Sequence, residues 1–249
     1  MMHLFPTVLI VSLIVMIAAL FRSAFGFGES LIAVPLLSMV MPLNAAVPLS
    51  VLVSVFVAAF VVAQDRKKVY LKSAAYLILY ALIGVPLGLW LLVHAQEMVV
   101  KLILGALMIS FSVYLLKGSE LKALKEDSQW WLLVCGMLSG VFGGAYGING
   151  PPLVIYGAKR RWTAVNFRAT LQAYFFIVGL ISIAGYWQAG LLDAGVLKYF
   201  LWSLPALVPA ILAGRFINSR MQNGRFFKYS YLAVLALGTL VILNCIYQV

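Results

Sequence analysis

The feature that most constrains this chain is a series of apolar runs, each about as long as a bilayer is thick. A helix needs about 20 apolar residues to cross the hydrocarbon core. Six runs reach or approach that length: roughly 45–63, 73–93, 99–116, 163–187, 198–214 and 229–248. Apolar residues make up 64% of the 249 residues and charged residues only 10%, which leaves too little polar surface for a soluble domain. The chain is therefore predicted to be an all-α integral membrane protein.

Two further apolar stretches, 4–41 and 130–158, are interrupted by glycines and then by proline. The interruptions fall at 26–35 and at 143–152. The apolar residues that follow each interruption are too few to cross a core of about 30 Å. This pattern favours two re-entrant hairpins made of broken helices, over the alternative of two ordinary crossings in each stretch.

The two halves of the sequence align through these breaks. The register that places Ser23 on Ser139 also places Pro35 on Pro151, and the order of apolar elements is the same in both halves. A duplicated unit is the economical explanation. We therefore predict a single transmembrane domain over 1–249, with two repeats that each contain one hairpin and three transmembrane helices. Repeat one covers about 4–116 and repeat two about 130–248, joined by a cytoplasmic loop at 117–129.

Lysine and arginine are concentrated in four loops, and this asymmetry predicts the orientation of the chain. The four groups begin at Arg66, Lys117, Lys159 and Arg215, and loops rich in Lys and Arg face the cytoplasm. All four can do so only if both broken segments are re-entrant, which inverts one repeat relative to the other and places both termini outside. The net charge of +11 is thereby interpreted as a topology signal, and no nucleic-acid partner is expected.

Two arginines and one carboxylate fall inside the apolar segments: Arg22, Arg168 and Glu29. A charge in a membrane span costs at least about 2.5–3.5 kcal/mol on insertion scales, so such residues usually face a cavity, a partner or a pathway. The guanidinium of Arg168 can bind an oxyanion through two parallel hydrogen bonds, with Gln172 four residues later on the same helical face. Alternatively, Arg168 extends to the nearby interface or caps the hairpin.

Polar residues at the breaks and on the helices that follow complete a predicted anion-binding site. A glycine-rich turn that begins a half-helix presents free N–H groups and the positive end of the helix dipole. Helix packing through small residues is the alternative explanation for the serines. Besides Arg168 and Gln172, the predicted ligands are Asn149, Gly150, Tyr146, Gly28, Ser30, Ser50, Ser54, Asn166 and Thr170.

Glu29 has two interpretations. It can form a structural ion pair with Arg22, seven residues earlier. It can also take up and release a proton during transport, since burial favours the neutral carboxyl. The residues alone leave both open.

Three stretches carry a resemblance to a known family. They read Gly143-Gly-Ala-Tyr-Gly-Ile-Asn-Gly-Pro-Pro-Leu-Val-Ile-Tyr156, Phe167-Arg-Ala-Thr-Leu-Gln-Ala-Tyr-Phe175 and Gly26-Phe-Gly-Glu-Ser-Leu-Ile-Ala-Val-Pro-Leu-Leu37. In these stretches the chain resembles the sulfite exporter TauE/SafE family, also called the toluene sulfonate uptake permease family. The resemblance implies a transporter that moves a sulfur-containing anion (sulfite, sulfoacetate or another organosulfonate) across the cytoplasmic membrane, usually outward. Many members have a run of glycines where this chain has Glu29 and Ser30.

Other functional classes fit the residues less well. An enzyme is not expected, because His3 and His94 lie far apart at membrane edges and no paired carboxylates fall within a span. Cys135 and Cys245 are isolated and are interpreted as buried packing residues, so neither a metal nor another cofactor is expected. A passive anion channel and a carrier for carboxylates stay open as alternatives. The expected partners are a small anion and the lipid bilayer, and the sequence is compatible with a homo-oligomer.

Overall fold

The computed structural model describes residues 4–65, 68–117, 123–220 and 224–247, and these residues form ten α-helices. Five helices lie in each half, in the same order of one long, one short and three long elements. In the first half they are α1 (Leu4–Phe25), α2 (Glu29–Leu37), α3 (Leu43–Asp65), α4 (Leu71–His94) and α5 (Glu97–Leu116). In the second half they are α6 (Gln129–Tyr146), α7 (Gly150–Lys159), α8 (Ala164–Gln188), α9 (Ala194–Arg220) and α10 (Gly224–Tyr247). The all-α prediction is confirmed. Arg66, Lys67 and part of the predicted loop at 117–129 lie outside the described residues.

Six helices are long and apolar enough to cross a membrane, so the chain is a multi-pass membrane protein. The candidate spans are Thr7–Ala24, Leu43–Ala63, Leu71–His94, Glu97–Leu116, Val165–Gln188 and Ala194–Ile217. The sequence predicted six full crossings with a different membership. The first break lies late in its segment, so α1 has 22 residues and is long enough to cross alone. By contrast, the apolar part of α10 within the described residues is shorter, Val234–Ile246.

Both predicted breaks are present, and glycine makes each turn possible. Gly26, Gly28 and Gly147 adopt φ angles of 84°, 91° and 66°, a left-handed conformation that costs other residues about 1–2 kcal/mol. The helices that follow, α2 and α7, have 9 and 10 residues. At 1.5 Å per residue they are about 14–15 Å long, roughly half of the hydrocarbon core. Neither is long enough to cross it.

The main helix contacts join the two halves. Helix α4 packs along α6, α1 along α9, α5 against α10, and α3 against α8. Glycines permit the closest approach: Gly84 and Gly88 of α4 face the backbone of α6, where any side chain would force the helices apart. This arrangement places α3 and α8 in the centre, beside both breaks.

A hydrogen-bonded cluster ties together three segments on the predicted cytoplasmic side. Asp127, just before α6, accepts hydrogen bonds from the hydroxyls of Tyr156 (2.6 Å) and Ser73 (2.9 Å). Arg160, at the end of α7, donates to the same carboxylate at 2.8 Å. Partial burial would by itself raise the pKa of Asp127, but these hydrogen bonds and the charge of Arg160 outweigh it and hold the pKa below its usual range. We call Ser73, Asp127, Tyr156 and Arg160 the Asp127 cluster.

Candidate functional site

The candidate site is centred on the buried guanidinium of Arg22, in the last turn of α1, whose side chain is 3% exposed. Its Nη1 donates to Glu29 Oε2 at 2.8 Å and also to the hydroxyl of Ser54. Its Nη2 and Nε donate to Gln172 Oε1 at 2.8 Å and 3.3 Å. The ring of Phe175 lies 4.9 Å from the guanidinium carbon. One cation thus joins α1, α2, α3 and α8.

Glu29 is the counter-ion, and it begins α2, where a carboxylate complements the helix dipole. Its side chain is 1% exposed. The hydroxyl of Ser50 lies 3.3 Å from Glu29 Oε1, as its donor, and 3.1 Å from the hydroxyl of Ser30. Gln172 donates its side-chain N–H to the Gly26 carbonyl at 2.7 Å. The first break is therefore held by hydrogen bonds from the central helices of both halves.

A small cavity of about 20 Å³ lies between the two breaks. Its volume corresponds to about one water-sized molecule. Its wall combines Arg22, Gly28, Glu29, Ser30, Leu31 and Ser54 of the first half with Gly147, Ile148, Asn149, Gly150 and Phe175 of the second. The two breaks therefore line one small space, which Arg22, Glu29 and the polar side chains of Ser30, Ser54 and Asn149 share with apolar residues.

The second break contributes no charged residue to this wall, and its carbonyls are satisfied from within its own half. The hydroxyl of Tyr186 donates to the carbonyls of Gly143 and Gly144 at 3.1 Å and 3.0 Å, which caps the end of α6. The hydroxyl of Ser139 donates to the Asn149 carbonyl at 2.6 Å. The side-chain oxygen of Asn149 is buried and has no hydrogen-bond partner among the described residues.

Most of the predicted ligands meet in one group. Eight predicted residues belong to the Arg22 hydrogen-bond network, to the cavity wall or to both: Gln172, Asn149, Gly150, Gly28, Ser30, Ser50, Ser54 and Glu29. The remaining predicted residues are not part of the wall: Arg168, Tyr146, Asn166 and Thr170.

These four residues lie in other surroundings. The stem of Arg168 packs on Gly26, with its Cγ 3.1 Å from the position a β-carbon would take there. Asn166 donates to the Lys68 carbonyl, and Thr170 accepts from the backbone of Tyr70, both towards the predicted cytoplasmic side. Tyr146 is fully buried. Arg168 is therefore beside the site rather than in its wall.

Besides Arg22, six residues of the site were not predicted as ligands: Leu31, Gly147, Ile148 and Phe175 of the cavity wall, and Ser139 and Tyr186. Phe175 lies three residues after Gln172, so helical spacing could have placed it on the same face. Ser139 and Tyr186 bind the second break through backbone carbonyls, a role for which the sequence holds no specific signal. Arg22 was predicted as the partner of Glu29, and the structure makes it the residue with the most hydrogen bonds in the site.

Several membrane spans around a buried, charged site between two broken helices define the class of membrane transporters. The family model described as Sulfite exporter TauE/SafE matches residues 11–242, and the chain belongs to that family. A probable sulfite/organosulfonate exporter TauE of Cupriavidus necator is 28% identical over 145 residues. That match spans 57% of this chain and 56% of the relative, little more than half of either. No solved structure matches the chain.

Proposed function

We propose that the chain is a secondary transporter that exports a sulfur-containing oxyanion (sulfite, sulfoacetate or another organosulfonate) across the cytoplasmic membrane. The observation that carries the proposal is the guanidinium of Arg22, buried between two broken helices. A guanidinium matches oxyanions by parallel hydrogen bonds. A buried ion pair is a poor source of stability compared with apolar packing, so its presence here is better explained by a substrate pathway. The sulfur specificity follows the descriptions of the family and of the relative.

In this mechanism Glu29 holds the place of the transported anion. Its carboxylate binds Arg22 when no substrate is present, and an incoming oxyanion replaces it. A proton on Glu29 would leave Arg22 without a counter-ion and ready for substrate. Proton and anion would therefore promote each other's binding, which is the reciprocity that coupling requires.

Transport also requires the site to open, since an organosulfonate is larger than the cavity.

We infer two inverted repeats, α1–α5 and α6–α10, each beginning with a re-entrant hairpin. The contact pattern supports this: α1 packs on α9 as α6 packs on α4, while α3 and α5 pair with their own equivalents, α8 and α10. A two-fold axis in the membrane plane relates elements in this way. The Asp127 cluster supports the second hairpin, because it joins the start of α6 to the end of α7.

Arg22→Lys tests the identity of the anion ligand, with Arg168→Lys as the matched variant. Lysine keeps the charge but loses the two-pronged geometry. We expect Arg22→Lys to weaken sulfite binding about tenfold or more, because a charge-assisted hydrogen bond is worth about 1.5–3 kcal/mol. We expect Arg168→Lys to have a smaller effect. Arg168 lies outside the cavity wall and would bind the anion only after the breaks move. The reverse ranking in two folded variants would transfer the main role to Arg168.

Glu29→Gln tests proton coupling in reconstituted vesicles. Glutamine resembles the protonated carboxyl but cannot release a proton, so anion exchange should continue while acceleration by a pH gradient is lost. Glu97→Gln, at the start of α5 and away from the site, is the control. A full response to the pH gradient in Glu29→Gln would leave Glu29 as a structural partner of Arg22. The same vesicles separate the alternatives, because a channel shows no counter-flow and a carboxylate carrier prefers acetate to sulfonates.

A further inference from the structure

A second cavity, of about 560 Å³, lies on the far side of the second hairpin from Arg22. It is an open groove between α5, α6 and α7, and its wall includes Ile103, Leu107, Phe111, Phe142, Pro152 and Ile155. Its volume lies within the range of about 300–1,000 Å³ that is usual for ligand sites. It shares no wall residue with the central cavity, and the transport mechanism above does not use it.

This cavity opens sideways, towards lipid. Ile103 and Leu138 belong to its wall and are 40% and 43% exposed. Ile103 lies within a membrane-spanning helix, so the exposed surface around it is in contact with hydrocarbon. Apolar walls without neighbouring atoms lose their dispersion contacts, and an acyl chain is the apolar group available at this depth.

One end of the cavity carries a positive charge. The ammonium of Lys159, at the end of α7, lies 4.2 Å from the ring centroid of Trp131, a wall residue. This end is the predicted cytoplasmic one, where anionic head groups and tryptophan are found together. A long apolar wall with a cation at its interfacial end is complementary to an anionic amphiphile.

In the first half, another helix of the protein covers α2, the counterpart of α7. There α10 packs against α2. Within the described residues, α5 makes no comparable contact with α7, and the cavity occupies the space between them. The short helix of the second half therefore lacks the protein support that its equivalent has.

We propose that this cavity binds an anionic phospholipid, with one acyl chain between α5 and α7 and the phosphate at Lys159. The lipid supports α7 in the way that α10 supports α2. The position of α7, and with it the wall formed by Asn149 and Gly150, then depends on lipid.

The first test is the thermal stability of delipidated protein with added dioleoyl phosphatidylglycerol, dioleoyl phosphatidylcholine or oleate. We expect phosphatidylglycerol near saturation to raise the midpoint by about 5–10 °C, and phosphatidylcholine to raise it less. Oleate as the better ligand would make the site one for fatty acids. Ala106→Phe fills the cavity and should abolish the gain. Ala236→Phe, the same change at an exposed position of α10, should keep it.

The second test does not depend on whether Ala106→Phe folds, because it compares the parent chain with Trp131→Phe and Lys159→Gln. Phosphatidylglycerol with brominated acyl chains should quench the Trp131 fluorescence, obtained as the difference from Trp131→Phe. Lys159→Gln should remove the preference for phosphatidylglycerol over phosphatidylcholine. Equal lipid gains in Ala106→Phe and Ala236→Phe, or an unquenched Trp131, would overturn the proposal.

Discussion

The two predicted hairpins, α1–α2 and α6–α7, have the same order of one long and one short helix but differ in chemistry and in support. The α1–α2 hairpin carries both charges of the site, Arg22 and Glu29, and its short helix packs against α1, α3 and α10. The α6–α7 hairpin contributes uncharged residues, Asn149 and Gly150, and its short helix packs mainly against α6, with the apolar cavity behind it. The first predicted hairpin is therefore organised around an ion pair, whereas the second brings no charge to the site and has an apolar cavity beside its short helix.

This difference predicts that the two halves of the chain have different roles. A buried ion pair needs complete hydrogen bonding, because an unmatched charge in the interior is costly. The segment that carries it is therefore expected to tolerate little change in its packing. Movement that opens the site is therefore expected in the α6–α7 segment rather than in α8, whose Gln172 binds both Arg22 and Gly26. The following predictions test this contrast, from the largest expected effect to the smallest.

Removal of Arg22 should have the largest effect. Arg22→Ala leaves Glu29 buried without a counter-ion, which we expect to lower the free energy of unfolding by about 3–5 kcal/mol. The double variant Arg22→Ala, Glu29→Gln removes both charges and should recover most of that stability, while anion binding stays lost. Denaturation in detergent and sulfite binding by calorimetry measure the two properties. An Arg22→Ala protein as stable as the parent would show that the first hairpin does not depend on its ion pair.

A methyl group added at the turn between α6 and α7 should have the second largest effect. Gly147→Ala adds a methyl group at a positive φ angle and 2.9 Å from Val51 Cγ2. Left-handed strain and overpacking together should cost about 2–4 kcal/mol. Gly190→Ala is the matched control, since Gly190 has a similar φ of 71° but nothing within 4 Å of the added methyl. It should cost only the strain of about 1–2 kcal/mol. Equal losses in thermal denaturation would mean that the turn at Gly147 is not packed tightly against Val51 of α3.

Loss of the Asp127 cluster should have the smallest effect. Asp127→Asn weakens the attachment of α7 to the segment before α6, at an expected cost of about 1–2 kcal/mol at pH 7. The folded pKa of Asp127 lies below its usual value. Its stabilising effect is therefore complete above the unfolded pKa of about 4 and is lost as pH falls through the folded pKa.

Stability measured against pH checks this prediction. The gap between Asp127→Asn and the parent chain should shrink below about pH 4. Glu126→Gln, an exposed neutralisation in the same segment, should stay within about 0.5 kcal/mol of the parent. A gap that persists unchanged at low pH would mean that the carboxylate charge is not what holds α7.

Part of the site could be predicted from the sequence, because similar elements in the two halves place polar residues beside both breaks. Ser54 and Gln172 were both predicted as ligands, from different halves of the chain, and both bind Arg22. The sequence was less informative about the arginines. Arg22 and Arg168 each lie in an apolar helix, and both were expected to need a partner or a pathway. Which of them reaches the cavity depends on how α1 and α8 are rotated about their axes, and a single helix does not specify its own rotation.

The sequence by itself determined the class of fold and the place of the breaks. Apolar length against bilayer thickness, positive-φ glycines and prolines act within one segment, so they can be read locally. The tertiary structure alone decided which polar groups meet, since the contact between Arg22 and Gln172 joins residues 150 positions apart. It also decided that α10 covers α2 while a cavity lies beside α7. Both outcomes depend on how helices from the two halves pack together, and that packing is a property of the whole assembly of helices rather than of any one segment.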